Sequence, residues 1–136
     1  MMNRITATIT EIKTKDYLTL LKLLRDEMHF SAMVTGPAEA FAGLETGKQV
    51  TVLFDELDVF ISRDMQPQIS IQNRFPATIK KIVRGELLCE LTLVCAGVSF
   101  NSIITKKATE QLALKEGDEV LALIKTNRVT VAPNPA

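Results

Sequence analysis

Residues 3–9 read Asn-Arg-Ile-Thr-Ala-Thr-Ile, and residues 73–79 read Asn-Arg-Phe-Pro-Ala-Thr-Ile. The offset of 70 positions continues along the chain without a gap. Identical residues at that offset include Leu21 and Leu91, Phe30 and Phe100, Gly47 and Gly117, and Val50 and Val120. Dense self-similarity at a fixed offset indicates a tandem duplication. We therefore expect two copies of one small module, at residues 1–63 and 70–133.

Both repeats predict the same order of secondary structure. A long alternating strand opens each repeat, around Ala7 and Ala77. The later strands are expected at 17–24, 28–34, 49–54 and 58–62, and at 87–94, 98–104, 119–124 and 128–131. One short helix is expected in each repeat, capped by Thr105 at 107–112 and opened by Gly36-Pro37 in the first repeat. Five short strands with one helix predict an all-β fold of two tandem, OB-like, five-stranded small barrels.

Composition excludes several function classes. The 136 residues contain 16 Lys+Arg and 16 Asp+Glu, one Tyr and no Trp. A nucleic-acid surface needs excess basic charge, and base stacking needs aromatic side chains. One His and no Gly-x-Ser-x-Gly motif leave no nucleophile-and-base pair, so we expect no enzyme. No His-based metal cluster can form.

Length and hydropathy suggest the assembly and the cellular location of the protein. A module of roughly sixty residues builds a thin core and often needs a partner, so we expect a homo-oligomer. No apolar run is long enough to span a membrane. The opening residues, Met-Met-Asn-Arg-Ile-Thr, lack the apolar segment of a signal peptide. We therefore expect a cytoplasmic protein without membrane insertion.

Four segments of the second repeat carry a family pattern. They are Ser70-Ile71-Gln72-Asn73, Ile103-Ile104-Thr105-Lys106, Leu114-Lys115-Glu116-Gly117-Asp118 and Ala122-Leu123-Ile124-Lys125-Thr126. The second repeat resembles the Mop/TOBE module of molybdate-binding proteins over essentially its whole length. The duplicated module standing alone resembles the di-Mop molbindins.

This resemblance implies a function and an assembly. The implied ligand is molybdate or tungstate, bound in the cytoplasm for storage, buffering or sensing by a homo-oligomer, either a trimer or a dimer. The alternative is an interaction module that associates with a molybdate transporter or regulator and binds little anion. Residues 64–70 look like the segment that precedes the module in transporter ATPase subunits. The chain has no Walker motif, however, so it is not expected to be that subunit.

A tetrahedral dianion needs hydrogen-bond donors, some positive charge and few carboxylates. The second repeat offers Ser70, Gln72, Asn73, Thr105, Lys125 and Thr126. The resemblance assigns anion contacts to Ser70, Asn73, Lys125 and Thr126, with Thr105 contributing from a facing module. Gln72 stands where the family has Arg, so either the affinity is lower or Arg74 or Arg128 supplies the charge.

The first repeat departs further from this pattern. Asp55-Glu56 align with Lys125-Thr126, and two carboxylates would repel an oxyanion. We expect the first module to be mainly structural, with a degenerate site.

A plainer interpretation of the second repeat, in which these residues bind no anion, also stands. Ser70, Asn73 and Thr126 are residue types that cap turns, and Lys125 could be an ordinary surface lysine.

Overall fold

The computed structural model describes residues 1–36 and 43–134, and most of its regular structure is β-strand. The first repeat contributes β1 Met2–Lys15, β2 Leu18–Arg25, β3 Met28–Thr35, β4 Gln49–Asp55 and β5 Phe60–Ser62. The second repeat contributes β6 Asn73–Arg84, β7 Leu88–Cys95, β8 Val98–Thr105, helix α1 Lys106–Gln111, β9 Glu119–Ile124 and β10 Thr130–Pro133. The strands form two five-stranded sheets. The predicted all-β fold of two OB-like modules is confirmed.

Period-two alternation explains the opening strand of each repeat. Ile5, Ala7 and Ile9 of β1 are buried, as are the equivalent residues of β6, because alternate side chains of a strand face the same side. The register of both strands then shifts at the same place, between Ile9 and Glu11 and between Ile79 and Lys81. Such a bulge ends the regular alternation, and only a few residues beyond it remain half-buried.

The closing strands are exchanged between the repeats. One sheet has the order β10-β4-β1-β2-β3 and the other has the order β5-β9-β6-β7-β8. The last strand of each repeat therefore completes the sheet of the other repeat. The sequence pattern placed both closing strands with their own copy. It could not distinguish the two arrangements, because β4 and β9 are equivalent in the duplication and offer equivalent edges.

The two repeats also share one hydrophobic core. Buried residues of both repeats form a single cluster. The rings of Phe30 and Phe75 lie 4.7 Å apart between centroids, and those of Phe54 and Phe100 lie 5.9 Å apart. Aromatic pairs at this spacing add to the stabilisation that burial gives. Strand exchange and the shared core together fix how the repeats lie against each other.

The predicted helix and strand bounds agree with the structure within two residues. Helix α1 follows its predicted cap, since Thr105 Oγ1 accepts the N–H of Ala108 at 3.0 Å. The helix predicted to open at Gly36-Pro37 falls on residues 37–42, which lie outside the described residues. β5 and β10 begin two residues late because 3₁₀ turns occupy Glu56–Asp58 and Thr126–Arg128. Within the described ranges, no helix is long and apolar enough to cross a membrane.

Candidate functional site

A groove lies where the two repeats meet, at one end of β6 and β9. It has a volume of about 510 Å³ and is lined by Leu20, Met33, Ser70, Ile71, Gln72, Lys125, Thr126 and Asn127. Two of its segments belong to the second repeat. They meet because β6 and β9 are antiparallel, with Asn73 opposite Ile124. The chain entering β6 and the chain leaving β9 therefore lie side by side. Leu20 and Met33 complete the groove from β2 and β3 of the first repeat.

The polar lining of this groove suits an anion. Ser70 and Thr126 bring hydroxyl groups, Gln72 brings an amide, and Lys125 brings a positive charge. The lysine is exposed, and it forms no ion pair with any residue in 1–36 or 43–134. None of the lining residues is a carboxylate. Hydroxyls, amides and ammonium groups can all donate hydrogen bonds to an oxyanion.

A backbone donor in the groove is also left without a side-chain acceptor. In the first repeat, Asp55 Oδ1 accepts the N–H of Leu57 at 2.8 Å and caps the 3₁₀ turn. The equivalent N–H in the second repeat belongs to Asn127. Lys125 occupies the cap position there and has no acceptor atom, so that turn has no side-chain cap. The exchange of Asp for Lys therefore adds a positive charge and uncaps a backbone N–H at the same place.

The equivalent region of the first repeat has the opposite charge. Asp55 and Glu56 take the places of Lys125 and Thr126, and Glu90 takes the place of Leu20. The Glu56 side chain is only 7% exposed, and its Oε1 has no hydrogen-bond partner among the described residues. Burial, and next the nearby Glu90 carboxylate, raise the pKa of Glu56 above the usual value for a glutamate. Three carboxylates make this region repellent to an anion.

Asn73, one of the predicted ligands, has its side chain turned away from solvent. It is fully buried. Its Oδ1 accepts the backbone N–H of Ser31 at 2.7 Å, and its Nδ2 donates to the backbone carbonyl of Ser31 at 2.9 Å. Both functional atoms of the side chain are thus engaged with β3 of the first repeat.

Thr105, another predicted ligand, lies elsewhere in the chain. It caps α1 and lines a separate groove with Glu86, Leu87, Lys106, Lys107 and Glu110. The structure therefore brings four of the six predicted residues into one groove: Ser70, Gln72, Lys125 and Thr126. Thr105 is not part of that groove within one chain.

The two arginines considered as substitutes for the family Arg are engaged with other groups. Arg74 donates to the backbone carbonyls of Pro67, Ile69 and Ile71, so it fixes the linker that carries Ser70. Arg128 lies 3.9 Å from a carboxylate oxygen of Asp58. Among residues 1–36 and 43–134, Lys125 is therefore the one charged residue that lines the groove.

Sequence reasoning missed the contribution of the first repeat. The sequence pattern places Leu20 and Met33 in apolar strands and assigns no anion contact to Ile71 or Asn127. A signal was available for Leu20, because its neighbours Leu21 and Leu23 are buried core residues and alternation directs Leu20 to the opposite face. The sequence alone does not say what that outer face contacts.

Known proteins resemble both the second repeat and the whole chain. Residues 69–131 match the TOBE domain family. The chain is 34% identical over 85 residues to the molybdenum import ATP-binding protein ModC of Brucella abortus (strain 2308), a match covering 62% of this chain and 24% of ModC. ModC of Mesorhizobium japonicum is 31% identical over 111 residues, covering 77% of this chain and 30% of that protein. The chain thus spans less than a third of the length of these curated relatives.

A solved structure extends the likeness to both repeats. The cytoplasmic molybdate-binding protein ModG, in a crystal form with molybdate bound, aligns with a TM-score of 0.91 at 26% sequence identity. The alignment covers 97% of this chain and 96% of that chain. The duplicated architecture is therefore common to both proteins. The second repeat therefore belongs to the TOBE domain family over residues 69–131, and the whole chain shares the architecture of the molybdate-binding protein ModG.

Proposed function

We propose that this protein binds molybdate, or the equally charged tungstate, in the groove between its repeats. The observation that carries the proposal is the lining of that groove. Ser70, Gln72, Lys125 and Thr126 surround it without a carboxylate. The likeness to molybdate-bound ModG supports the same ligand class. The role that fits is a cytoplasmic binding protein that stores, buffers or senses the oxyanion, rather than an enzyme.

The two repeats have different parts in this proposal. The second module, 70–133, supplies the charged and donor groups, and the first module, 1–63, supplies the apolar wall of the groove. Its own equivalent region carries Asp55, Glu56 and Glu90 and does not bind anion. We keep Ser70, Gln72, Lys125 and Thr126 as direct contacts. Thr105 contributes only if a second copy brings its helix to the groove.

We propose a homo-oligomer, a trimer or a dimer, as the working form. Large apolar side chains are exposed at equivalent places in both repeats. Tyr17 and Leu18 follow β1, and Leu87 and Leu88 follow β6, with Tyr17 70% and Leu87 81% exposed. Exposed apolar patches commonly mark association surfaces. Sedimentation equilibrium at micromolar concentration checks this, and a monomeric mass would contradict it.

Equilibrium dialysis with molybdate, tungstate and sulfate tests the anion function. We expect saturable binding of molybdate and tungstate that Lys125→Glu abolishes. Lys80→Glu is the matched control, because Lys80 is an exposed lysine of the same repeat outside the groove. Equal loss in both variants would place the site elsewhere. Absence of binding in the unmodified protein would favour the interaction module that associates with a transporter or regulator.

A further inference from the structure

We infer that Asn73 is a positioning residue of the anion groove and not an anion ligand. It holds together the two walls of the groove, one from each repeat. The inference rests on the proposed anion function only for its affinity measurement. Its structural part stands on the contacts of Asn73 alone.

Asn73 completes the hydrogen bonding of an edge strand. β3 is the last strand of its sheet, so nothing in that sheet pairs with its outer side. The side-chain amide of Asn73 supplies one acceptor and one donor to the backbone of Ser31, at 2.7 and 2.9 Å. It thus imitates the backbone of a neighbouring strand. Unpaired edges otherwise expose backbone donors and acceptors, and a buried backbone group without a partner is costly.

The same residue connects three of the segments that line the groove: the chain entering β6, the end of β9, and β3. Asn73 directly follows Gln72, and in the β6–β9 ladder it lies opposite Ile124, which precedes Lys125. Its side chain reaches Ser31, two residues before Met33 on β3. One residue therefore sets the position of Gln72 and Lys125 relative to the first-repeat wall.

The duplication provides an internal control for this role. Asn3 makes the same pair of bonds from the first repeat to the second. Its Oδ1 accepts from Asn101 N at 2.8 Å, and its Nδ2 donates to Asn101 O at 2.8 Å. Asn3 is also buried, at 7% exposed, and β8 is the other edge strand that receives such an amide. The strand that carries Asn3 runs beside Asp55 instead of Lys125, since Met2 of β1 pairs with Asp55. Removing Asn3 thus removes the same bonds without disturbing the anion groove.

The test compares Asn73→Ala with Asn3→Ala in the full-length protein. Tungstate affinity is measured by calorimetry at a temperature where both variants are folded. We expect Asn73→Ala to weaken binding by about tenfold or more, which is the effect seen in metal sites when a group that orients a ligand is lost. Asn3→Ala should stay within about twofold of the unmodified protein. Equal affinities of the two variants would overturn the positioning role.

Hydrogen exchange of the anion-free protein provides the second measurement, independent of binding. Asn73→Ala should speed amide exchange at Ser31 and in residues 71–72, and Asn3→Ala should do so at Asn101 instead. Unchanged exchange at Ser31 in Asn73→Ala would overturn the inference even if tungstate binds. If the unmodified protein binds no tungstate while exchange responds as expected, the proposed function fails and the positioning role survives. Should Asn73→Ala not fold, Asn73→Ser keeps one hydrogen-bonding group, and exchange at Ser31 should rise by a smaller factor.

Discussion

Replacing Lys125 by Asp should stabilise the fold and abolish anion binding at the same time. The first repeat shows the outcome, because Asp55 holds the equivalent position and its Oδ1 accepts the N–H of Leu57 at 2.8 Å. In Lys125→Asp, the new carboxylate can accept the N–H of Asn127 in the same way. A side-chain cap of this type contributes about 1 kcal/mol to stability.

The loss of binding follows from the change in charge. A lysine attracts a dianion and an aspartate repels it, so the charge product changes by about four units. At a separation of about 5 Å and the dielectric constant of water, each unit is worth about 0.8 kcal/mol. The total is about 3 kcal/mol, which corresponds to more than a hundredfold in affinity. The lower effective dielectric constant of a partly enclosed groove raises this figure, and dissolved salt lowers it, so the calorimetry is done at low ionic strength.

Urea unfolding and tungstate calorimetry measure the two effects separately. Lys125→Gln is the control for the cap, since it removes the charge and places no carboxylate at the cap position. It should weaken binding without the gain in stability. Lys80→Asp controls for the change in net charge away from the groove. The reasoning is refuted if Lys125→Asp binds tungstate like the unmodified protein, or if it is less stable than Lys125→Gln.

Three further predictions follow from the first repeat and from the turn at Gly117. Glu56→Gln should raise stability at neutral pH by on the order of 1 kcal/mol, because it removes a buried carboxylate charge. The raised pKa of Glu56 means that the folded state holds its proton more tightly. The penalty is therefore absent below the pKa of the unfolded chain and grows as pH rises to the folded value, so urea unfolding at pH 3 should show no gain. Replacing Asp55 by Lys, Glu56 by Thr and Glu90 by Leu together should create a second tungstate site, seen as higher stoichiometry in calorimetry. An unchanged stoichiometry would mean that the missing counterpart of Ser70 is decisive. Gly117→Ala should lower the free energy of unfolding by about 1 kcal/mol or more, because Gly117 has φ near +92°, and a stability equal to that of the unmodified protein would contradict this.

Most of the fold could be predicted from the sequence because the hydrophobic pattern of most strands occurs in both copies of the duplication. Positions such as Ile9 and Ile79 alternate with polar residues in both copies, and the buried face of each strand follows from that alternation. The exchange of β5 and β10 could not be predicted. The equivalent edges of β4 and β9 offer the same backbone hydrogen bonds, so the path of the chain after each 3₁₀ turn decides between them.

The candidate site was predicted in part. Ser70, Gln72, Lys125 and Thr126 lie together because the end of β9 and the start of β6 are neighbours in the sheet. Asn73 belongs to the same motif, but alternation alone places it on the buried face with Phe75. The residue type of Asn73 suggests a donor for the anion. Its position on β6, however, directs the side-chain amide to the backbone of Ser31. The contribution of Leu20 and Met33 depends on contacts between repeats, which no local pattern specifies.

The central claim is that the groove beside Lys125 binds a tetrahedral oxyanion while its acidic counterpart does not. Crystals grown with tungstate test this directly, since tungsten can be located by its anomalous scattering. We predict one strong peak per chain within hydrogen-bonding distance of the Lys125 ammonium, and no peak beside Asp55, Glu56 and Glu90. A peak beside those three carboxylates, or an empty Lys125 groove at saturating tungstate, would contradict the account.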